Sequence, residues 1–265
     1  LIFGMGMGVM GAGISTFVSR TVGALIMLVM LHNRRRPIHI SNIFHFEWRP
    51  ILIKKILKVA IPSGIENSMF HIGKLSVQSL VASFGTVSLA ANAISNSLAG
   101  FSNIPGNAIG LASITVIGQC VGAGEERQVT YYAKRFIALV FIAIFALNLP
   151  MLALLRPLLT LFHLSSAATT LAQQVLIINL AVSLVFWPPA FTVANFLRAT
   201  GDAKFTMTVS MLSMWIIRVG LSYFFANLGW GLQGVWFAMY VDWIVRGAAF
   251  TARMVTGGWK NKKLV

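Results

Sequence analysis

Long apolar runs dominate this sequence and limit the folds that it can adopt. An α-helix of about 20 apolar residues spans the hydrocarbon core of a bilayer, which is roughly 30 Å thick. The sequence contains seven apolar segments of this length or longer: 7–31, 58–83, 87–118, 135–156, 170–196, 205–227 and 231–255. Only 10% of the residues are charged, compared with about a quarter in soluble domains. We therefore predict an all-α, polytopic membrane helix bundle with about seven transmembrane helices.

The net charge of +15 raises the question of nucleic-acid binding, since basic surfaces neutralise phosphates. The Lys and Arg residues, however, are not gathered on one surface. Most of them occupy short segments between the apolar runs, at alternate ends of the predicted helices. This distribution is typical of the positive-inside rule. We therefore predict no nucleic-acid partner, the lipid bilayer as the surroundings, and a cytoplasmic C-terminus.

The sequence lacks the patterns that enzymes of this size would require. A single cysteine, Cys120, forms neither an internal disulfide nor a thiolate metal site. The glycines of Gly118–Gly124 follow a predicted membrane span and not a strand, so they do not indicate a dinucleotide site. The six acids offer no pair on one cytoplasmic face for a metal-bound pyrophosphate. We predict no enzyme activity, no cofactor and no metal site.

Six short motifs carry a family resemblance: Ile61–Asn67, Ala90–Ile94, Ile104–Gly110, Gly118–Gly124, Leu197–Asp202 and Gly234–Trp236. In this order they resemble the MATE (multidrug and toxic compound extrusion) family of efflux transporters, within the wider group of multidrug, oligosaccharide-lipid and polysaccharide exporters. The resemblance implies one lobe of a two-lobe, V-shaped transporter. The chain would then correspond to the C-terminal half, that is, the sixth helix plus the second six-helix lobe.

This correspondence divides the chain into four parts. Residues 1–31 are the last helix of the first lobe, 32–57 a cytoplasmic linker with an amphipathic helix, 58–256 the second lobe and 257–265 a basic cytoplasmic tail. The resemblance implies a secondary active antiporter that exports organic, often cationic drugs or toxic metabolites by alternating access. The coupling ion would be Na⁺ or H⁺, and the missing N-terminal lobe is the expected partner. The expected location is the plasma membrane, here a bacterial inner membrane. A flippase for lipid-linked oligosaccharides or polysaccharides is the alternative.

Glu66 is the candidate ion-coupling residue. It follows Pro62 by one helical turn within the second apolar segment. An ionised carboxylate near the bilayer centre costs roughly 2.5–3.5 kcal/mol, so it needs a partner or a watery cavity. A carboxylate that binds a proton or cation in one state and releases it in another suits an antiporter, and Pro62 removes a backbone hydrogen bond where a hinge would be useful. An ion pair with Lys58 is the alternative.

The coupling ion stays open. Some members of the resembled family carry an acidic pair in the second lobe that is associated with sodium. No Asp or Glu occurs between Arg127 and Gly201, so this sequence does not match that pattern.

Polar and aromatic side chains in the predicted spans are candidates for a substrate cavity. Amides and rings suit varied cargo because they offer hydrogen bonds and apolar contact without a fixed charge. The candidates are Asn67, Met69, Phe70, His71, Lys74, Gln78, Asn92, Asn96, Phe101 and Asn195. Hydrogen bonding between packed helices is the alternative for the amides, and snorkelling to the outer interface is the alternative for Lys74.

Two further charged groups are expected to be structural. Asp242 and Arg246 are four residues apart, so their side chains share one helix face, and Arg218 of the preceding span is expected to reach Asp242. This cluster would join two helices, and gating of the cytoplasmic side is the alternative. Arg198 and Asp202 lie where the fifth span ends, and we expect them to organise a cytoplasmic loop.

Overall fold

The computed structural model describes residues 7–32 and 49–260. All regular elements in these two ranges are helical, as predicted. The α-helices are α1 (Gly8–His32), α2 (Pro50–Ser83), α3 (Thr86–Ser102), α4 (Ile104–Gly122), α5 (Glu126–Ala153), α6 (Leu155–Thr160), α7 (Ser166–Ala199), α8 (Ala203–Leu212), α9 (Gly220–Asn227) and α10 (Gly231–Val255). A π-helical segment, Ser213–Val219, joins α8 to α9. The chain divides into two compact units, residues 1–53 and 54–265, and the second contains every candidate site residue.

Five helical stretches in the described residues are long and apolar enough to cross a bilayer. They are Gly13–His32, Ile104–Gly122, Glu126–Ala153, Ser166–Ala199 and Ala203–Asn227. α3 has 17 residues, and α2 and α10 are not among these five stretches. The predicted polytopic helical bundle is thus confirmed, whereas the number of about seven spans stays a prediction.

The observed helices differ from the predicted segments at two places. α2 begins at Pro50 and runs without a break to Ser83, so the basic stretch after residue 49 continues into the apolar segment. Residues 33–48, most of the predicted linker, lie outside the described residues. The predicted segment 87–118 is divided at Asn103 into α3 and α4. Pro105 explains this division, because proline lacks the N–H that would bond to the carbonyl four residues earlier.

α7 is the central helix of the second unit. It packs against α3, α4, α5 and α10, and Leu176, Leu180 and Phe196 along its length are almost fully buried. Polar side chains also join it to its neighbours. Asn148 of α5 donates hydrogen bonds from Nδ2 to the carbonyl of Leu180 (3.1 Å) and to Oγ of Ser183 (2.8 Å), the kind of interhelical bond that membrane bundles use.

Candidate functional site

Glu66 is buried and paired with an arginine of α7. Its side chain lies on α2 with 6% of the residue exposed, and Arg198 donates a hydrogen bond from Nη2 to Oε1 at 2.6 Å. Nη1 of Arg198 donates to Oδ1 of Asn195 at 2.9 Å. Bonds of this length between charged groups are among the stronger hydrogen bonds in proteins. The side chain of Lys58, the alternative partner, lies outside the described part of the structure.

Arg198 and Asp202 differ from their predicted role in a loop. Arg198 belongs to the last turn of α7, and its guanidinium bonds to Glu66 of α2. Asp202 is buried and accepts a hydrogen bond from Nε of Arg253 at 2.8 Å. Both residues therefore connect helices that are distant in sequence. The helix α7 itself directs Arg198 towards Glu66, whereas Gly201, at φ +90°, turns the chain after α7 so that Asp202 lies buried against the bundle.

Asp242 and Arg246 form a buried pair on α10, as their spacing predicted. Nη1 of Arg246 lies 3.7 Å from Oδ2 of Asp242, and the two residues are 3% and 0% exposed. Asp242 also accepts a short hydrogen bond from Oγ of Ser213. Ser213 and Arg218 both belong to the π-helical segment, and Arg218 lies near enough to interact electrostatically with Asp242. π-helical turns are rare and often occur at functional sites.

The Phe70 ring lies among three cationic side chains. Its centroid is 5.9 Å from Nζ of Lys74, 5.9 Å from Cζ of Arg218 and 5.5 Å from Cζ of Arg246. Arg246 also contacts the ring of Phe191 at 4.9 Å. Such distances allow cation–π attraction. The electrostatic interaction of Arg246 with Glu66 and Arg198 extends this group.

We call this group the charge cluster. Its members are Glu66, Phe70, Lys74, Arg198, Arg218, Asp242 and Arg246. The cluster contains four cationic and two acidic side chains, and it combines residues of α2, α7, α10 and the π-helical segment.

A small cavity of about 40 Å³ adjoins the charge cluster. It is lined by Lys74, Val77, Gln78, Asn92, Asn96, Arg218, Val235, Trp236 and Met239. Asn92 organises the polar side of the cavity: its Nδ2 donates to Oε1 of Gln78 at 2.9 Å, and its Oδ1 accepts from Asn96 at 3.0 Å and from Nε1 of Trp236 at 3.0 Å. These bonds hold the three amide side chains in place beside Lys74 and Arg218, the two cationic side chains of the lining.

The other predicted cavity residues lie away from this pocket. Asn195 bonds to Arg198, and Asn67, His71 and Phe101 are exposed on their helices. Met69 is half-buried. Pro62 is buried within the continuous α2, so its role as a hinge stays a prediction. The predicted cavity residues therefore do not all line one pocket: Lys74, Gln78, Asn92 and Asn96 line the small cavity, and the others lie elsewhere.

Sequence reasoning missed Ser213 and Trp236. Each is a single hydrogen-bond donor to a member of the site, Ser213 to Asp242 and Trp236 to Asn92. A serine or tryptophan in an apolar segment carries no pattern of its own, because its partner lies on another helix. From the sequence, Asp242 indicates only that a buried carboxylate needs a hydrogen-bond donor, and it does not identify which residue supplies it.

A family model described as MatE matches residues 62–224. The matched stretch includes Glu66, Lys74, Arg198 and Arg218. This chain belongs to the MatE family. MatE proteins are transporters, so the prediction that the chain is not an enzyme is confirmed.

The individual relatives agree with this assignment. The uncharacterized transporter YisQ of Bacillus subtilis (strain 168) is 29% identical over 97% of this chain and 56% of its own length. The probable multidrug resistance protein NorM of Thermotoga maritima is 25% identical over 98% of this chain and 55% of its own. An outward-facing multidrug resistance MATE family transporter of the MOP superfamily superposes with a TM-score of 0.81 at 21% identity, over 98% of this chain and 58% of that one. This MatE chain thus spans about half the length of these proteins.

Proposed function

We propose that the protein carrying this MatE chain is a secondary active antiporter that exports organic compounds by alternating access. Na⁺ or H⁺ entry would drive the export, and the basic end of the lobe would face the cytoplasm. The family, the relatives named as multidrug resistance proteins and the apolar helices support the transport of organic molecules. The Glu66–Arg198 pair is the observation that carries the coupling proposal.

Glu66 suits ion coupling because its bond to Arg198 can be exchanged for a bound ion. A proton or Na⁺ on the carboxylate competes with the guanidinium at 2.6 Å. Breaking this bond frees α2 from the last turn of α7 and leaves Arg198 with Asn195. The ion therefore has different affinities for the paired and unpaired states, and such a difference is required for an ion to shift a conformational equilibrium.

The test is dye export by the full-length protein with Glu66→Gln. Everted vesicles receive an imposed Na⁺ or H⁺ gradient, and Glu125→Gln is the matched control because Glu125 is exposed at the basic end. We expect wild type and Glu125→Gln to follow one gradient, and Glu66→Gln to lose gradient dependence while retaining dye binding. Gradient-driven export that survives in Glu66→Gln would exclude Glu66 as the coupling residue.

A flippase for lipid-linked saccharides is the second candidate function. The excess of cationic side chains in the charge cluster favours it, since such lipids carry phosphate groups and charge pairing is strong in a low-dielectric site. A fluorescent lipid pyrophosphate reconstituted with the full-length protein tests this candidate. Its movement across the bilayer without dye export would support the flippase.

A further inference from the structure

Lys74 and Arg218 are cationic side chains that form no salt bridge with an acid among the described residues, although Asp242 lies close enough to Arg218 to interact with it. Lys74 lies nine residues before the end of α2, and Arg218 lies nine residues before the end of α9. At 1.5 Å per residue, each is about 13 Å from its helix end, well within a hydrocarbon core of roughly 30 Å. The salt bridges of the described residues join Arg198, Arg246, Arg253 and Lys260 to acids, and neither Lys74 nor Arg218 is among them.

Lys74 and Arg218 both line the small cavity, and Nζ of Lys74 and Cζ of Arg218 each lie 5.9 Å from the centroid of the Phe70 ring. Two positive charges within this range repel one another. Charged side chains within a membrane are costly unless they face a cavity or pair with an opposite charge. An anion in this cavity would relieve the repulsion and pair with both side chains.

The walls of the cavity suit a small anionic group attached to an apolar molecule. Its volume of about 40 Å³ exceeds the roughly 10–15 Å³ that a cavity needs to hold one water, so it has room for a small group such as a carboxylate. Val77, Val235 and Met239 form the apolar part of the lining. The bonds of Asn92 to Gln78 and Trp236 hold the polar part in place.

We propose that this cavity is an anion-binding subsite, so that the transporter exports amphiphilic organic anions. Lys74 and Arg218 bind the carboxylate or sulfonate of the cargo, while the apolar remainder of the cargo lies outside the cavity. This inference rests on the proposed export function and specifies its substrate class, in contrast to the cationic drugs that the family resemblance implied.

The experiment compares an anionic and a cationic dye with the full-length protein in proteoliposomes. Carboxyfluorescein is the anionic probe and ethidium the cationic one. We expect wild type to export carboxyfluorescein faster than ethidium. Lys74→Met should weaken carboxyfluorescein binding about tenfold or more, the effect of losing one charged hydrogen bond. Lys74→Arg should retain binding because the charge is kept, and Lys204→Gln, an exposed lysine of α8, should bind like wild type.

Other results would overturn this proposal in distinguishable ways. Export of ethidium in preference to carboxyfluorescein would refute the anion subsite but keep the export function. Export of neither dye would refute the export function itself. Equal loss of both dyes in Lys74→Met and Lys74→Arg would show that Lys74 is only structural. A fluorescent phosphatidylglycerol that crosses the bilayer, without carboxyfluorescein export, would assign the subsite to a lipid headgroup and exclude soluble cargo.

Discussion

The buried Asp242–Arg246 pair allows a stability prediction with a defined magnitude. Asp242→Asn keeps the shape of the side chain and its oxygen for Ser213, but it removes the negative charge beside Arg246. Removing one partner of a buried ion pair costs about 3–5 kcal/mol, since the other charge stays buried and uncompensated. The low end applies here, because the 3.7 Å separation exceeds a hydrogen bond and Arg246 keeps its contacts with Phe70 and Phe191. We expect a loss of about 3 kcal/mol.

The assay is reversible SDS-driven unfolding of the full-length protein in mixed micelles, followed by far-UV circular dichroism. The double variant Asp242→Asn/Arg246→Met removes both charges of the pair and is expected to be more stable than Asp242→Asn alone, although Arg218 still loses the nearby carboxylate. Ser213→Ala removes one bond to a charged acceptor and should cost about 1.5 kcal/mol. A double variant that is less stable than Asp242→Asn alone would refute the reasoning, because the buried, unpaired arginine would then not be the source of the loss.

Two further predictions concern helix packing and the cavity wall. In Gly106→Ala, the new Cβ would lie 2.5 Å from the Trp187 ring, so we expect the free energy of unfolding to fall by about 1–3 kcal/mol. Gly100→Ala has open space around it and should not destabilise the protein. The same SDS titration measures both variants, and equal stability would contradict close packing of Gly106 against Trp187. Asn92→Leu should cost about 1–3 kcal/mol because the Trp236 indole loses its acceptor; an unchanged unfolding midpoint and tryptophan emission would contradict it.

The sequence predicted the helical bundle well and the details of the helices less well. α10 begins and ends where its apolar segment does, because Gly231 and the turn after Val255 delimit it. The division at Asn103 was missed although Ser102, Asn103, Pro105, Gly106 and Asn107 interrupt the apolar run, because a membrane helix can also continue through a proline. The π-helical segment was missed because Ser213–Val219 differs from α-helix in hydrogen-bond pattern and not in its distribution of apolar residues.

The apolar segments by themselves determined the class of this protein, because a long run with few charges can satisfy its backbone only as a helix in a bilayer. They also showed that Glu66, Lys74 and Asp242 needed partners. Only the tertiary structure decided which partners they have. Glu66 pairs with Arg198, which is 132 residues away in the sequence, while Lys74 and Arg218 line the same cavity. The helical repeat assigns a residue to a face of its own helix, but the rotation of each helix against its neighbours depends on packing that no single segment encodes.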